Sequence, residues 1–204
     1  MGKRIPFLSI IFALSTLLAS TAVATAASGR PWSEVRILKL HSYGAVDNAD
    51  LSRGEWWRLL TAQFVHVKPA HMLLNVAMLF LMAVGVERSA GSLALALLWL
   101  LSGSAGVYAS IYSVQPPYDI GSGASQAIMG VAGAAIVVIR RNPHYPSWFK
   151  GALVATLGIT AALDLLFARS IKIGHVVGLL VGLIVAIAVV PKTDSIAVDN
   201  SLSR

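Results

Sequence analysis

Residues 173–190 read IGHVVGLLVGLIVAIAVV, a run of small and branched apolar residues with no Asp, Glu, Lys or Arg and one histidine near its start. As a helix rising about 1.5 Å per residue, such a run comes close to crossing the hydrocarbon core of a bilayer. Gly174, Gly178 and Gly182 recur every four residues and so share one helix face. Glycines at that interval let a second backbone approach closely, which is how helices associate in lipid. The stretch predicts a membrane helix packed tightly along one side, with His175 at one end of the packed face.

Working outward, five further apolar stretches are found at about 5–27, 69–86, 93–113, 122–139 and 149–168. Together they predict an all-α fold, a polytopic transmembrane six-helix bundle over residues 1–191. An outer loop over 28–68 follows the first span, and the polar stretch 192–204 is expected to be a disordered cytoplasmic tail. Composition agrees: 56% of residues are hydrophobic, 12% are charged, and the mean hydropathy is +0.74. Soluble domains carry about twice that charge fraction. The net charge of +7 is spread between apolar blocks, with no Lys/Arg run longer than two, so no nucleic-acid partner is expected. The absence of cysteine excludes disulfides, thiolate catalysis and Cys-based metal sites.

Residues 1–30 also resemble a secretory signal peptide, with Lys3 and Arg4 at the start and small residues ending in Ala24–Thr25–Ala26–Ala27. The apolar stretch is longer than the roughly 7–15 residues of a signal h-region, which favours a retained first helix. Arg140, Arg141 and Lys150 flank the connection between the fourth and fifth spans, whereas the connection around Gln115–Asp119 has no cation. The positive-inside rule then places both termini in the cytoplasm. The loop 28–68 lies outside by this reading, despite Arg30, Arg36, Lys39, Arg53, Arg58 and Lys68. Its Trp32, Trp56 and Trp57 are expected at the headgroup level.

With that orientation, the first turns of the second, fourth and sixth spans share one depth in the outer leaflet. They hold His71 and Asn75, Ser125, and His175. Polar side chains at membrane depth are costly unless paired, so they face the bundle or water and mark function. His71 and Asn75, four apart, share a helix face. Ser125 lies in GSGASQAIMG, residues 121–130, and the glycines around Ser125 and His175 allow hydrogen-bond reach between the two helices. Singly, a membrane serine bonds its own helix and a GxxxG is packing. Jointly, these residues fill the roles of nucleophile, base and oxyanion donors for acyl transfer. Asp164 is the one acidic residue at that depth, and it leaves either a Ser/His dyad or an unidentified third partner. A different reading makes His66, His71 and His175 metal or haem ligands, but it leaves Asn75 and Ser125 without a role.

Over roughly residues 54–190 the chain resembles the rhomboid family of intramembrane serine proteases. Trp57–Arg58 resembles the family's Trp-Arg motif in the first loop. The stretch 66–75, HVKPAHMLLN, is similar to its second-helix signature, and GVERSAGS at 85–92, with Glu87, to the turn after that helix. Gly123–Ala124–Ser125–Gln126, with Gly130 beyond, resembles the GxSG nucleophile motif, and Gly174–His175–Val176–Val177–Gly178 the base motif. The resemblance implies Ser125 as nucleophile and His175 as general base, with His71, Asn75 and the Ser125 amide holding the oxyanion. It implies transmembrane helices as substrates, the lipid bilayer as partner, no cofactor and no metal, and a cavity open to the outer side of a bacterial inner membrane. Two positions depart from the pattern. Gln126 replaces the motif's last glycine, and, about 100° from Ser125 around the helix, does not share its face. Met129 stands where an aromatic often stacks on the base, and its thioether can pack there less rigidly. Both bear on rate and preference, as His66 does by its place in the signature. The other reading within the same family is an inactive protein that binds transmembrane helices without cutting them.

Overall fold

The computed structural model describes residues 5–116 and 119–192. The expected tail lies outside these residues from 193 onward. Six long helices form the bundle: α1 (Phe7–Ser28), α5 (Pro69–Ala90), α6 (Ser92–Tyr112), α7 (Ser125–Arg141), α8 (Ser147–Leu163) and α9 (Ile173–Val189). Three short helices, α2 (Ile37–Leu40), α3 (Asn48–Ser52) and α4 (Arg58–Thr61), lie in the loop between α1 and α5. The helices Phe7–Ser28, Pro69–Ala90, Ser92–Tyr112 and Ser147–Ala168 are long and apolar enough to cross a membrane. The chain is therefore a multi-pass integral membrane protein. The remaining two, α7 and α9, are 17 residues each.

The polarity of α1 is the reverse of a helix in a soluble bundle. On α1 the buried positions are Ser9, Ala13, Thr16, Ser20 and Ala24, while Ile10, Leu14 and Leu18 are exposed. Lipid solvates large aliphatic side chains as well as a core does, so the small residues turn inward, where close approach is gained. The central helix is α7, buried without interruption from Ser125 to Ala135. It lies against α9, whose buried positions are Gly174, His175, Gly178, Gly182 and Ala186. A Cβ on Gly178 would strike the Gln126 carbonyl, and one on Gly182 the Gly130 carbonyl. On the α6 side, a Cβ on Gly130 would strike the Ser102 side chain, and one on Gly174 the Ser110 side chain. The glycine stripe read from the sequence is thus the seam on which α6, α7 and α9 meet.

The expected fourth span, 122–139, begins as helix only at Ser125. The preceding residues are held by the loop: Val46 and Gly121 form an antiparallel bridge, and the Gly123 N–H donates to Ala62 O at 2.8 Å. Gly123 has φ 97°, a left-handed conformation that favours glycine and that turns the chain into α7. The expected fifth span continues past Leu163 as a π-helical segment, Asp164–Ala168.

The loop before α5 is folded onto α6. Val46, Leu51, Leu59 and Ala62 form a small core with Val107 and Ile111. Arg58 fixes its shape by donating to His41 O at 2.9 Å and Ala45 O at 3.0 Å, and it lies 4.7 Å over the Trp57 ring. Trp32, Trp56 and Trp57 are exposed, as residues at a headgroup level are. At the far end of the bundle Glu87, the motif acid, accepts from Leu8 N–H (2.9 Å), Ser9 N–H (2.8 Å), Ser9 Oγ (2.5 Å) and Ser92 Oγ (2.6 Å). Its carboxylate caps the start of α1, where helix amide groups lack partners and negative charge is favoured.

Candidate active site

Ser125 occupies the first position of α7, His175 the first turn of α9, and His71 and Asn75 the first two turns of α5. These starts lie at the same end of the bundle as the end of α8, because successive long helices run antiparallel. The four side chains expected at one depth are therefore together in space.

His175 Nε2 is 2.8 Å from Ser125 Oγ, and His175 Nδ1 is 2.7 Å from Asp164 Oδ2. Asp164 accepts and does not donate when ionised, so Nδ1 carries the imidazole proton and Nε2 is left to accept from the serine. That is the arrangement in which a neutral histidine can take a hydroxyl proton. Ser125, His175 and Asp164 are all buried. Asp164 was the acid singled out at this depth in the sequence, without an assigned partner. Regular spacing places it on the buried face of α8 with Thr156 and Thr160, but its contact with His175 depends on how α8 and α9 meet.

Ser125 is also a helix start. Its N–H, like those of Gln126 and Ala127, has no acceptor among the described residues, and the first intrahelical bond is from Ile128 N–H to Ala124 O at 2.9 Å. Free amides beside the nucleophile suit a developing oxyanion.

His66 organises the opposite wall. Ser20 Oγ donates to Phe64 O at 2.8 Å, so its oxygen accepts from His66 Nδ1 at 2.9 Å. His66 Nε2 then accepts from Asn75 Nδ2 at 2.9 Å and from Ala124 N–H at 3.3 Å. Burial pushes the His66 imidazole down to about 3, so it stays neutral and this pattern holds through the neutral range. The second hydrogen of Asn75 Nδ2 meets His71 Nε2 only at 3.4 Å, a weak bond that leaves it available as a donor. Ser20, on α1, was not read as a site residue. A serine facing inward from a first span carries no signal until its partner is known.

Gln126 does not project away from the nucleophile as its helical phase suggests. Its long side chain curls along α7: Oε1 lies 3.3 Å from Ser125 Oγ, and Nε2 donates to Ser110 Oγ on α6 at 3.3 Å. It fits because Gly106 leaves room; a Cβ there would stand 2.7 Å from Gln126 Cβ. Met129 is buried one turn further along α7. Both ring nitrogens of His66 and of His175 are engaged by protein groups, which does not suit the reading of His66, His71 and His175 as metal ligands.

A family profile described as Rhomboid domain matches residues 53–192. Among curated proteins, the chain is 34% identical over 161 residues to rhomboid protease GluP of Bacillus subtilis, covering 76% of this chain and 31% of that protein. It is 25% identical over 174 residues to rhomboid protease AarA of Providencia stuartii, covering 72% of this chain and 60% of that protein. It is 26% identical over 151 residues to rhomboid protease GlpG of Haemophilus influenzae, covering 72% of this chain and 76% of that protein. The chain thus spans about a third of the first relative and three fifths of the second.

Proposed function

The chain belongs to the rhomboid family, and from that premise we propose that it is an active intramembrane serine endopeptidase that cuts transmembrane helices of membrane-protein substrates. The observation that carries this reading is the 2.8 Å contact between Ser125 Oγ and the unprotonated Nε2 of His175. Ser125 Oγ attacks the scissile carbonyl carbon as its proton passes to His175 Nε2. The resulting oxyanion is held by the Ser125 N–H, the spare hydrogen of Asn75 Nδ2 and His71. The intermediate collapses, the C–N bond breaks, and His175 gives the proton to the leaving amine. Water, deprotonated by the same imidazole, then cleaves the acyl-enzyme and restores the serine. No metal or organic cofactor takes part.

The burial of Ser125 and His175 requires a substrate helix to part the bundle before it reaches them. A substrate segment that unwinds easily suits this site, because attack needs an extended peptide carbonyl rather than one bonded within a helix. The proposed setting is a bacterial inner membrane with both termini cytoplasmic and the site opening outward.

A second reading, an inactive protein that binds transmembrane helices, is favoured by one feature. The Gln126 carbonyl oxygen, 3.3 Å from Ser125 Oγ, competes for the serine proton. The 2.8 Å bond to His175 is the shorter and better acceptor, which favours the protease. Co-expression with a panel of tagged single-span proteins tests the choice. Cleavage of at least one, lost with Ser125→Ala, is expected; capture of substrates without cleavage would favour the inactive reading.

A further inference from the structure

Asp164 holds a place that the two-residue mechanism does not use. It is buried at the end of α8, with its carboxylate aimed at the base. The same oxygen, Oδ2, accepts from Lys172 N–H at 3.0 Å and from His175 Nδ1 at 2.7 Å, and Lys172 Nζ lies 3.9 Å from Oδ1. A buried carboxylate is costly unless its lone pairs are taken, and here a backbone amide and an imidazole take them.

The backbone from Asp164 onward is unusual. The helix widens into a π turn over Asp164–Ala168 and stops at Arg169, which has φ 58°. Arg169 has the only positive φ at a non-glycine position among the described residues. Asp164 continues the buried face of α8 after Thr156 and Thr160, while Leu165, Leu166 and Phe167 in the π turn face outward, 57%, 74% and 80% exposed. Such π segments cost regular hydrogen bonding and recur at functional sites. Here one begins at the residue whose carboxylate lies 2.7 Å from His175 Nδ1.

We propose that Asp164 is a positioning residue for His175, completing a Ser125–His175–Asp164 triad across α7, α9 and the end of α8. This rests on the protease reading of the same site. Asp164 accepts from Nδ1, which keeps the imidazole proton there so that Nε2 accepts from Ser125, and it faces the imidazolium formed when the serine proton arrives. Without it the imidazole is free to carry its proton on Nε2, where it can no longer serve as base, and free to turn away from Ser125.

The test compares Asp164→Asn, Asp164→Glu and wild type, purified in detergent, for fluorophosphonate labelling rate at Ser125 and for kinetics on a tagged single-span protein. Asparagine keeps an acceptor for Lys172 N–H, so the α8–α9 turn is preserved while the charge is lost. Asp164→Asn is expected to lower kcat and labelling rate at least a hundredfold, below the roughly 10⁴-fold loss known for the equivalent change in serine-protease triads. KM and melting temperature should stay near wild type, and Asp164→Glu should recover part of the rate. Labelling of Asp164→Asn at the wild-type rate would overturn the triad and leave the protease reading intact. Wild type that does not label would overturn both. Nitrogen-15 histidine spectra in micelles give a readout independent of activity. The triad requires His175 protonated at Nδ1 in wild type and redistributed toward Nε2 in Asp164→Ala; a wild-type His175 protonated at Nε2 would contradict it.

Discussion

Two carboxylates are buried at opposite ends of this bundle, and their surroundings differ in kind. Glu87 is saturated by two amides and two hydroxyls, and none of those donors leads further. Asp164 is bonded to one amide and to an imidazole whose other nitrogen reaches a serine. Burial is equal at 3% and 2% exposure, so burial alone does not separate a structural acid from a functional one. The partners do. A closed set of non-titrating donors ties helices together, whereas a carboxylate bonded to one imidazole nitrogen orients the other toward Ser125.

The contrast is broken most severely at the base. His175→Ala is expected to reduce substrate cleavage by about 10⁴-fold or more, as loss of a catalytic histidine does elsewhere. Its yield and melting temperature in detergent should match wild type; normal cleavage would remove His175 from the mechanism. Asn75→Ala should lower kcat by about a hundredfold, the loss of one oxyanion donor, with KM little changed. A pure KM effect would instead assign Asn75 to substrate binding. Glu87→Ala should act on stability alone, costing roughly 2–4 kcal/mol by stranding the donors at the start of α1. Denaturant titration in mixed micelles reads this cost, and the labelling rate per folded molecule should be unaffected. If that rate falls with stability, the two ends are not independent. The smallest effect is expected for Gln126→Gly. A competitor at 3.3 Å is worth no more than about 1 kcal/mol, so labelling should rise by less than about tenfold.

The membrane character and the helical bundle were legible because lipid imposes length and apolarity on each crossing. The meeting of α6, α7 and α9 was legible as well: Gly174, Gly178 and Gly182 have little other reason to recur at four-residue intervals. The level shared by His71, Asn75, Ser125 and His175 followed from counting residues into each span. Contacts that depend on irregular backbone were not legible. The start of α7 at Ser125 is set by a bridge to Val46 and a left-handed Gly123, and the chain between Asp164 and His175 passes through a π segment and a left-handed Arg169. Regular helical phase places Gln126 off the face of Ser125 and does not show its amide returning to the serine, because phase describes where a side chain leaves the backbone and not where a long one ends. Ser20, and the bond it makes with His66, escaped assignment for another reason. Their bond joins residues distant in sequence, and neither carries its meaning alone.

If Ser125 is an activated nucleophile, it reacts covalently with an electrophile built for serine hydrolases. The most direct test is reaction of the detergent-solubilised protein with a fluorophosphonate probe, followed by mass spectrometry of the modified peptide. A single adduct on Ser125 is expected, absent from Ser125→Ala and from His175→Ala. No adduct on wild type, under conditions that label an active relative, would contradict that role for Ser125.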